Sequence, residues 1–235
     1  MSNYVSAVMC GPIASYMDNI NSMLDVIRSE GWKYDPMISR CYNIYVPGEG
    51  DFIYDNTQED KIRYLNFDEI KILLPRAQRA SIKLTSLIDV EQVEINVHIL
   101  KEDVYFWLSL DIEDSDFLPN PSDTLVQWED PIFAKLRSTV LGMISLLAPS
   151  IAAVGWEADL ECKQHFPHGI FWGNFWNEEI VKSLSEQDLA TIMSLSHHWS
   201  VIENRGVLFW VGNFLYPQDY NQTLEKLYLI LSKYH

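Results

Sequence analysis

Cys162-x-x-His165-x-x-His168 sets a thiol and two imidazoles close together, with Asp159 and Glu161 beside them. Thiolate, imidazole and carboxylate are the ligand types that hold zinc in tetrahedral sites. The spacing is loose and no second cluster completes it, so a loop whose histidines face solvent accounts for the same residues, and no metal or other cofactor is assigned. A second group, Asp111, Glu113, Asp114 and Asp116, offers oxygen ligands for a hard cation. It lacks the glycine and the spacing of a calcium loop and reads as a solvated acidic rim. There is no Gly-x-Ser-x-Gly elbow, no local signature around a cysteine, and no glycine pattern of the phosphate-binding kind. Nucleophilic and nucleotide chemistry are disfavoured, and no catalytic residue is named.

The acids mark a place. From Glu102 to Ala134 there are nine Asp and Glu and not one Lys or Arg, within a chain of 235 residues whose formal charge is −16. Such a balance works against nucleic acid and anionic lipid as partners. It favours a basic protein, because complementary potential speeds encounter and aromatic anchors then hold the complex. Asp111, Glu113, Asp114, Asp116 and Asp123, with Trp107 and Trp128 flanking them, form the candidate contact surface. The opposite sign gathers only at Lys61, Arg63, Lys71, Arg76, Arg79 and Lys83, which read as a solvated helix face balancing nearby acids, with an anion site as the alternative.

The elements that must carry these residues follow from periodicity. Residues 3–10 suit a buried strand, and Ile13, Tyr16, Met17, Ile20, Leu24 and Ile27 fall at helical spacing after Gly11-Pro12. A short strand is expected over 41–46 and a short helix over 67–74. Alternation at Val93, Ile95, Val97 and Ile99, then the run 104–112, predicts two antiparallel strands joined by a short turn. Asp130-Pro131 caps a helix to Leu147. Strands over 151–160 and 169–176, a helix over 185–196, a hairpin turning at Asn204-Arg205-Gly206, and a closing helix over 217–234 complete the chain. Ser185-Glu-Gln-Asp188 has capping-box spacing with Asp in the usual Glu position. This order predicts an α+β fold: one compact domain spanning 1–235, or loose halves 1–128 and 129–235. A mostly antiparallel or mixed twisted sheet with about four to five packing helices is expected.

Three cysteines, Cys10, Cys41 and Cys162, are odd in number and far apart, so they are expected as reduced, buried thiols. The N-terminus has no basic leader region and no apolar run is long enough to cross a bilayer, which makes a cytoplasmic protein the expectation.

Gly169-Ile-Phe-Trp-Gly-Asn-Phe-Trp176 is echoed by Gly206-Val-Leu-Phe-Trp-Val-Gly-Asn-Phe214, and both are expected to be strands of one sheet. An acidic α+β chain closing on a Gly-Val-Leu-Phe-Trp strand and a helix resembles the immunity proteins of bacterial polymorphic and contact-dependent toxin systems, over residues 169–235. The resemblance implies a non-enzymatic inhibitor that neutralises a cognate toxin by occluding or locking it; no functional residue is carried over. The alternatives are an enzyme using a metal site at 162–168, and a phage or secretion accessory that assembles through its Phe-Trp strands.

Overall fold

A computed structural model describes residues 4–34, 41–55, 65–89, 91–113, 116, 128–156, 158–160, 162, 167, 169–211 and 217–234. Its organising element is a sheet of ten strands in the order β3-β2-β4-β5-β6-β1-β7-β8-β10-β9, with every pairing antiparallel. The strands are β1 (Tyr4–Pro12), β2 (Cys41–Val46), β3 (Gly50–Asp55), β4 (Arg79–Ile88), β5 (Glu91–Lys101), β6 (Tyr105–Glu113), β7 (Ile151–Trp156), β8 (Gly173–Asn177), β9 (His198–Ile202) and β10 (Gly206–Trp210). Among the described residues six helices accompany them: α1 (Ile13–Ser29), α2 (Phe67–Leu73), α3 (Pro131–Leu147), α4 (Glu178–Ser183), α5 (Glu186–Leu195) and α6 (Pro217–Leu231). The α+β class with a twisted antiparallel sheet is thus observed.

The two faces of the sheet are covered differently. Alternate residues of a strand point to opposite faces. Val5, Ala7 and Met9 of β1, with Leu108 and Leu110 of β6, meet the apolar stripes of α1 and α3, including Tyr16, Ile20, Leu24, Leu136, Val140 and Ile144. This first face also receives Ile70 and Leu73 of α2. On the second face, Cys10, Ile151, Trp176, Val207 and Phe209 form a separate core with Ile180, Ile192, Leu227 and Ile230 from α4, α5 and α6. Strands β7, β8 and β10, between both helix layers, are buried almost residue by residue, whereas β5 alternates buried and half-exposed positions. A strand covered on both sides reads as a continuous apolar run, and one covered on a single side alternates.

Capping chemistry sets the helix boundaries. Asp130 accepts the Phe133 N–H at 2.9 Å with Pro131 opening α3, as the dipeptide predicts. Asn66 and Glu69 form a reciprocal capping box on α2.

The structure departs from expectation at several points. β4 and β3 were not expected, and α4 is an additional helix. Arg79 and Lys83, taken as part of a helix face, lie on β4. The two echoes do supply strands of one sheet, with Gly173-Asn-Phe-Trp176 pairing antiparallel with Val207–Trp210, but residues 169–172 precede β8 and the first Phe-Trp lies outside the strand. Cys10 and Cys162 form a disulfide, with Cα atoms 5.2 Å apart at a sequence separation of 152, which corrects the expectation of reduced thiols. The physical reason is topological: β7 lies antiparallel beside β1 and ends at Trp156 opposite Val5, and the residues after it return along the second face, where Ala158 and Leu160 pack on Val8 and Leu160 and Cys162 pack against Cys10. Among the described residues no helix is long and apolar enough to cross a membrane.

Candidate docking face

The second face of β3, β2, β4, β5 and β6 carries no described helix. Register places its side chains in rows that cross the strands. One row runs Trp107, Leu100, Arg79, Tyr45, Asp51; the next runs Ser109, His98, Ser81, Asn43, Ile53; a third runs Asp111, Asn96, Lys83. Apolar side chains stand open among polar ones, with Ile53, Leu87 and Leu100 exposed by 52%, 73% and 40%. That mixture is what separates this half from an ordinary solvated sheet surface.

Electrostatically the face is a set of ion pairs with surplus carboxylate. Lys83 bonds Glu94 at 2.6 Å and Arg79 reaches Asp51 at 3.3 Å while lying over the Tyr45 ring. His98 Nε2 is 3.5 Å from one oxygen of Asp111, and the buried Ser109 hydroxyl donates to the other. Ser, His and Asp thus come together, but in an order that does not serve acyl transfer. A nucleophilic serine must hand its proton to the imidazole, and Ser109 bonds the carboxylate while its side chain is closed to solvent.

The expected contact residues divide. Asp111, Glu113 and Trp107 lie on this face, with Glu113 exposed, Asp111 tied into the His98 pair, and Trp107 half-buried at the border where it packs on Cys10 and Ala153 neighbours. Trp128 belongs to the first face. It packs edge-on against Phe133 and Trp210, lies beside His197 and His198, and is covered by the Arg137 guanidinium 3.5 Å from its ring centre. Desolvation lowers the Arg137 pKa, opposed by Glu129. Asp116 is half-buried; Asp114 and Asp123 lie outside the described residues.

The candidate zinc ligands are placed only in part. Cys162 is bonded to Cys10 and has no thiolate to offer, His165 and His168 lie outside the described residues, and among the described residues no group of three ligating side chains gathers. The described part of the basic segment forms ion pairs, Lys71 with Asp25 and Arg76 with Glu49, while Lys61 and Arg63 lie outside the described residues. A shallow hollow of about 440 Å³ between α1 and α2, lined by Asn21, Asp68, Lys71, Ile72 and Pro75, sets a carboxylate beside its lysine and is poorly suited to an anion.

Sequence reading missed His98, Glu94 and the exposed leucines, and it put Lys83 on a helix face and not on the sheet. Alternation in β5 showed which side chains share a side; it carried no signal that no described helix covers this side.

No family model and no curated protein sequence matches the chain. Among solved structures the fold is similar to that of a Pseudomonas aeruginosa T6SS protein, PA0821, with a TM-score of 0.58 at 9% sequence identity, over 96% of this chain and 76% of that one. At this identity the likeness is one of fold.

Proposed function

We propose that this chain is a non-enzymatic binding protein that docks a basic protein partner on the second face of β2–β6 and neutralises it, as an immunity protein does with a secreted toxin. The observation that carries the reading is the half of the sheet that no described helix covers, where Ile53, Leu87, Leu100 and Trp107 stand among Asp51, Glu94, Asp111 and Glu113. Apolar anchors ringed by complementary charge are how tight protein interfaces are built. The formal charge of −16 steers cationic surfaces toward the chain, and the structural neighbour is itself a secretion-system protein.

Coexpression with proteins encoded beside this gene, followed by calorimetry, tests it. A 1:1 complex is expected whose affinity falls with salt. Leu100→Asp should weaken it by at least about 10-fold, roughly 1.4 kcal/mol. Glu113→Lys should slow association and flatten the salt dependence. Affinity untouched by both substitutions would move the contact elsewhere and sink this reading.

A further inference from the structure

The opposite edge of the sheet is β9, and which of its backbone groups point outward follows from the phase of hydrogen bonding. Val211 donates its N–H to the Trp172 carbonyl at 2.8 Å, one step beyond the Trp210–Gly173 pair. Bonded and non-bonded pairs alternate along an antiparallel ladder. Val207 and Phe209 are therefore bonded to β8, and Gly206, Leu208 and Trp210 turn their backbone groups to β9. The Asn177 N–H on the Ser150 carbonyl, 3.1 Å, gives the same phase from the β7 side. The partners in β9 are Ile202, Ser200 and His198. Trp199 and Val201 thus direct N–H and C=O outward, at the strand where the sheet order ends.

The same two residues are exposed by 49% and 67%. Proteins usually blunt an edge with charge, proline or a bulge, and His-Trp-Ser-Val-Ile has neither an acid, a lysine, an arginine nor a proline. From His197 to Gly206 the formally charged residues are Glu203 and Arg205, which cancel, within a chain at −16. A second copy meets no local repulsion here.

We propose that β9 pairs antiparallel with β9 of a second copy about a two-fold axis at Ser200. In this register Trp199 faces Val201 of the second copy. Both are outward-bonding residues, so four backbone hydrogen bonds form and each exposed apolar side chain covers the other, an aromatic and β-branched pair of the favourable kind. A one-residue slip sets bonding groups against non-bonding ones. A two-residue slip preserves the ladder but places Trp199 opposite Glu203 or opposite itself. The strand is five residues long, well short of the ~1,000 Å² of a stable interface, so the dimer forms with concentration. The proposal is independent of the docking face, which lies at the other end of the sheet.

Sedimentation of the full chain from about 1 μM to about 1 mM, a range suited to a weak interface, should show the mass doubling. Val201→Pro removes only an outward N–H, which an edge strand tolerates, and should leave a folded monomer by near-ultraviolet circular dichroism. Trp199→Lys should do the same. Ser200→Cys should cross-link two copies under mild oxidation while the parent does not, because directly opposed non-bonded residues sit about 4.5 Å apart, within disulfide reach. The Ser200→Cys arm stands even if the other variants fail to fold. A monomer at every concentration, a dimer that persists in both edge variants, or no Ser200→Cys cross-link would overturn the proposal; a monomer would leave the edge to a strand from another protein.

Discussion

At Gly173 the side chain is a hydrogen because the Trp210 indole occupies the place of a Cβ: one built there would lie 2.4 Å from a ring carbon. Gly173→Ala should therefore cost about 1–3 kcal/mol of stability through overpacking, read as a lowered midpoint in thermal unfolding. An unchanged midpoint would mean that Trp210 yields freely. The acids of β6 give a sharper contrast. Asp111 accepts from Ser109, which is 1% exposed, and faces His98. Asp111→Ala strands a buried hydroxyl and should destabilise by about 1–3 kcal/mol, whereas Glu113→Ala, at an exposed strand end, should stay within about 0.5 kcal/mol. Urea titration of the two variants separates them, and equal losses would refute the distinction. In sequence the two carboxylates look alike. What divides them is cross-strand register, which pairs Asp111 with Asn96 and leaves His98 one step away.

At the scale of elements, periodicity located α1, α3 and the β5–β6 pair, because each has a long apolar stripe or alternation, to which α3 adds the Asp130 cap. β4 was passed over although Ala80, Ile82 and Leu84 alternate with Arg79, Ser81 and Lys83; the clustered positive charge suggested a helix face and masked the period of two. The capping-box spacing at Ser185 was visible, but its use was not. Asp188 is too short for the reciprocal bond, and the Ser185 N–H goes instead to the Tyr234 hydroxyl at 2.9 Å. Asp188 collects Lys233 at 2.6 Å, Tyr234 at 2.7 Å and the Ser185 hydroxyl at 2.8 Å, latching the end of the chain after α6 to the start of α5. Hydrogen bonds from Lys233, then Tyr234, then Ser185 hold its pKa down from 3.8 to about 2. A carboxyl depressed in the folded state contributes stability above its unfolded pKa of about 3.9, and that contribution drains away as pH falls toward 2. Asp188→Asn should accordingly lower the urea midpoint at pH 6, and the gap to the parent should close between pH 4 and pH 2. A gap that is constant with pH would show that the latch acts by shape and not by charge.

For the whole molecule, the division into loose halves at residue 128 meets the strand order. β1, from the first half, lies between β6 and β7, and α1 of the first half packs with α3 of the second in one core. Neither 1–128 nor 129–235 retains both sides of that core, so we expect each piece alone to be unfolded and the intact chain to melt in one transition, with fluorescence and far-ultraviolet signals coinciding. The Cys10–Cys162 bond adds a covalent link across the same division. Closing so long a loop constrains the unfolded chain, and bridges of this kind contribute about 2–4 kcal/mol, worth roughly 10 °C in a chain of this size. Reduction should lower the melting temperature by that order without splitting the transition, and Cys10→Ser should melt like the reduced parent. Disulfides persist in oxidising compartments and are held reduced in the cytoplasm, so the same two cysteines also bear on where the protein works. Alkylating free thiols in intact cells before lysis reads their state: a linked Cys10–Cys162 peptide would place the working protein outside the cytoplasm, whereas two alkylated thiols would mean that the fold stands in its cells without the bridge.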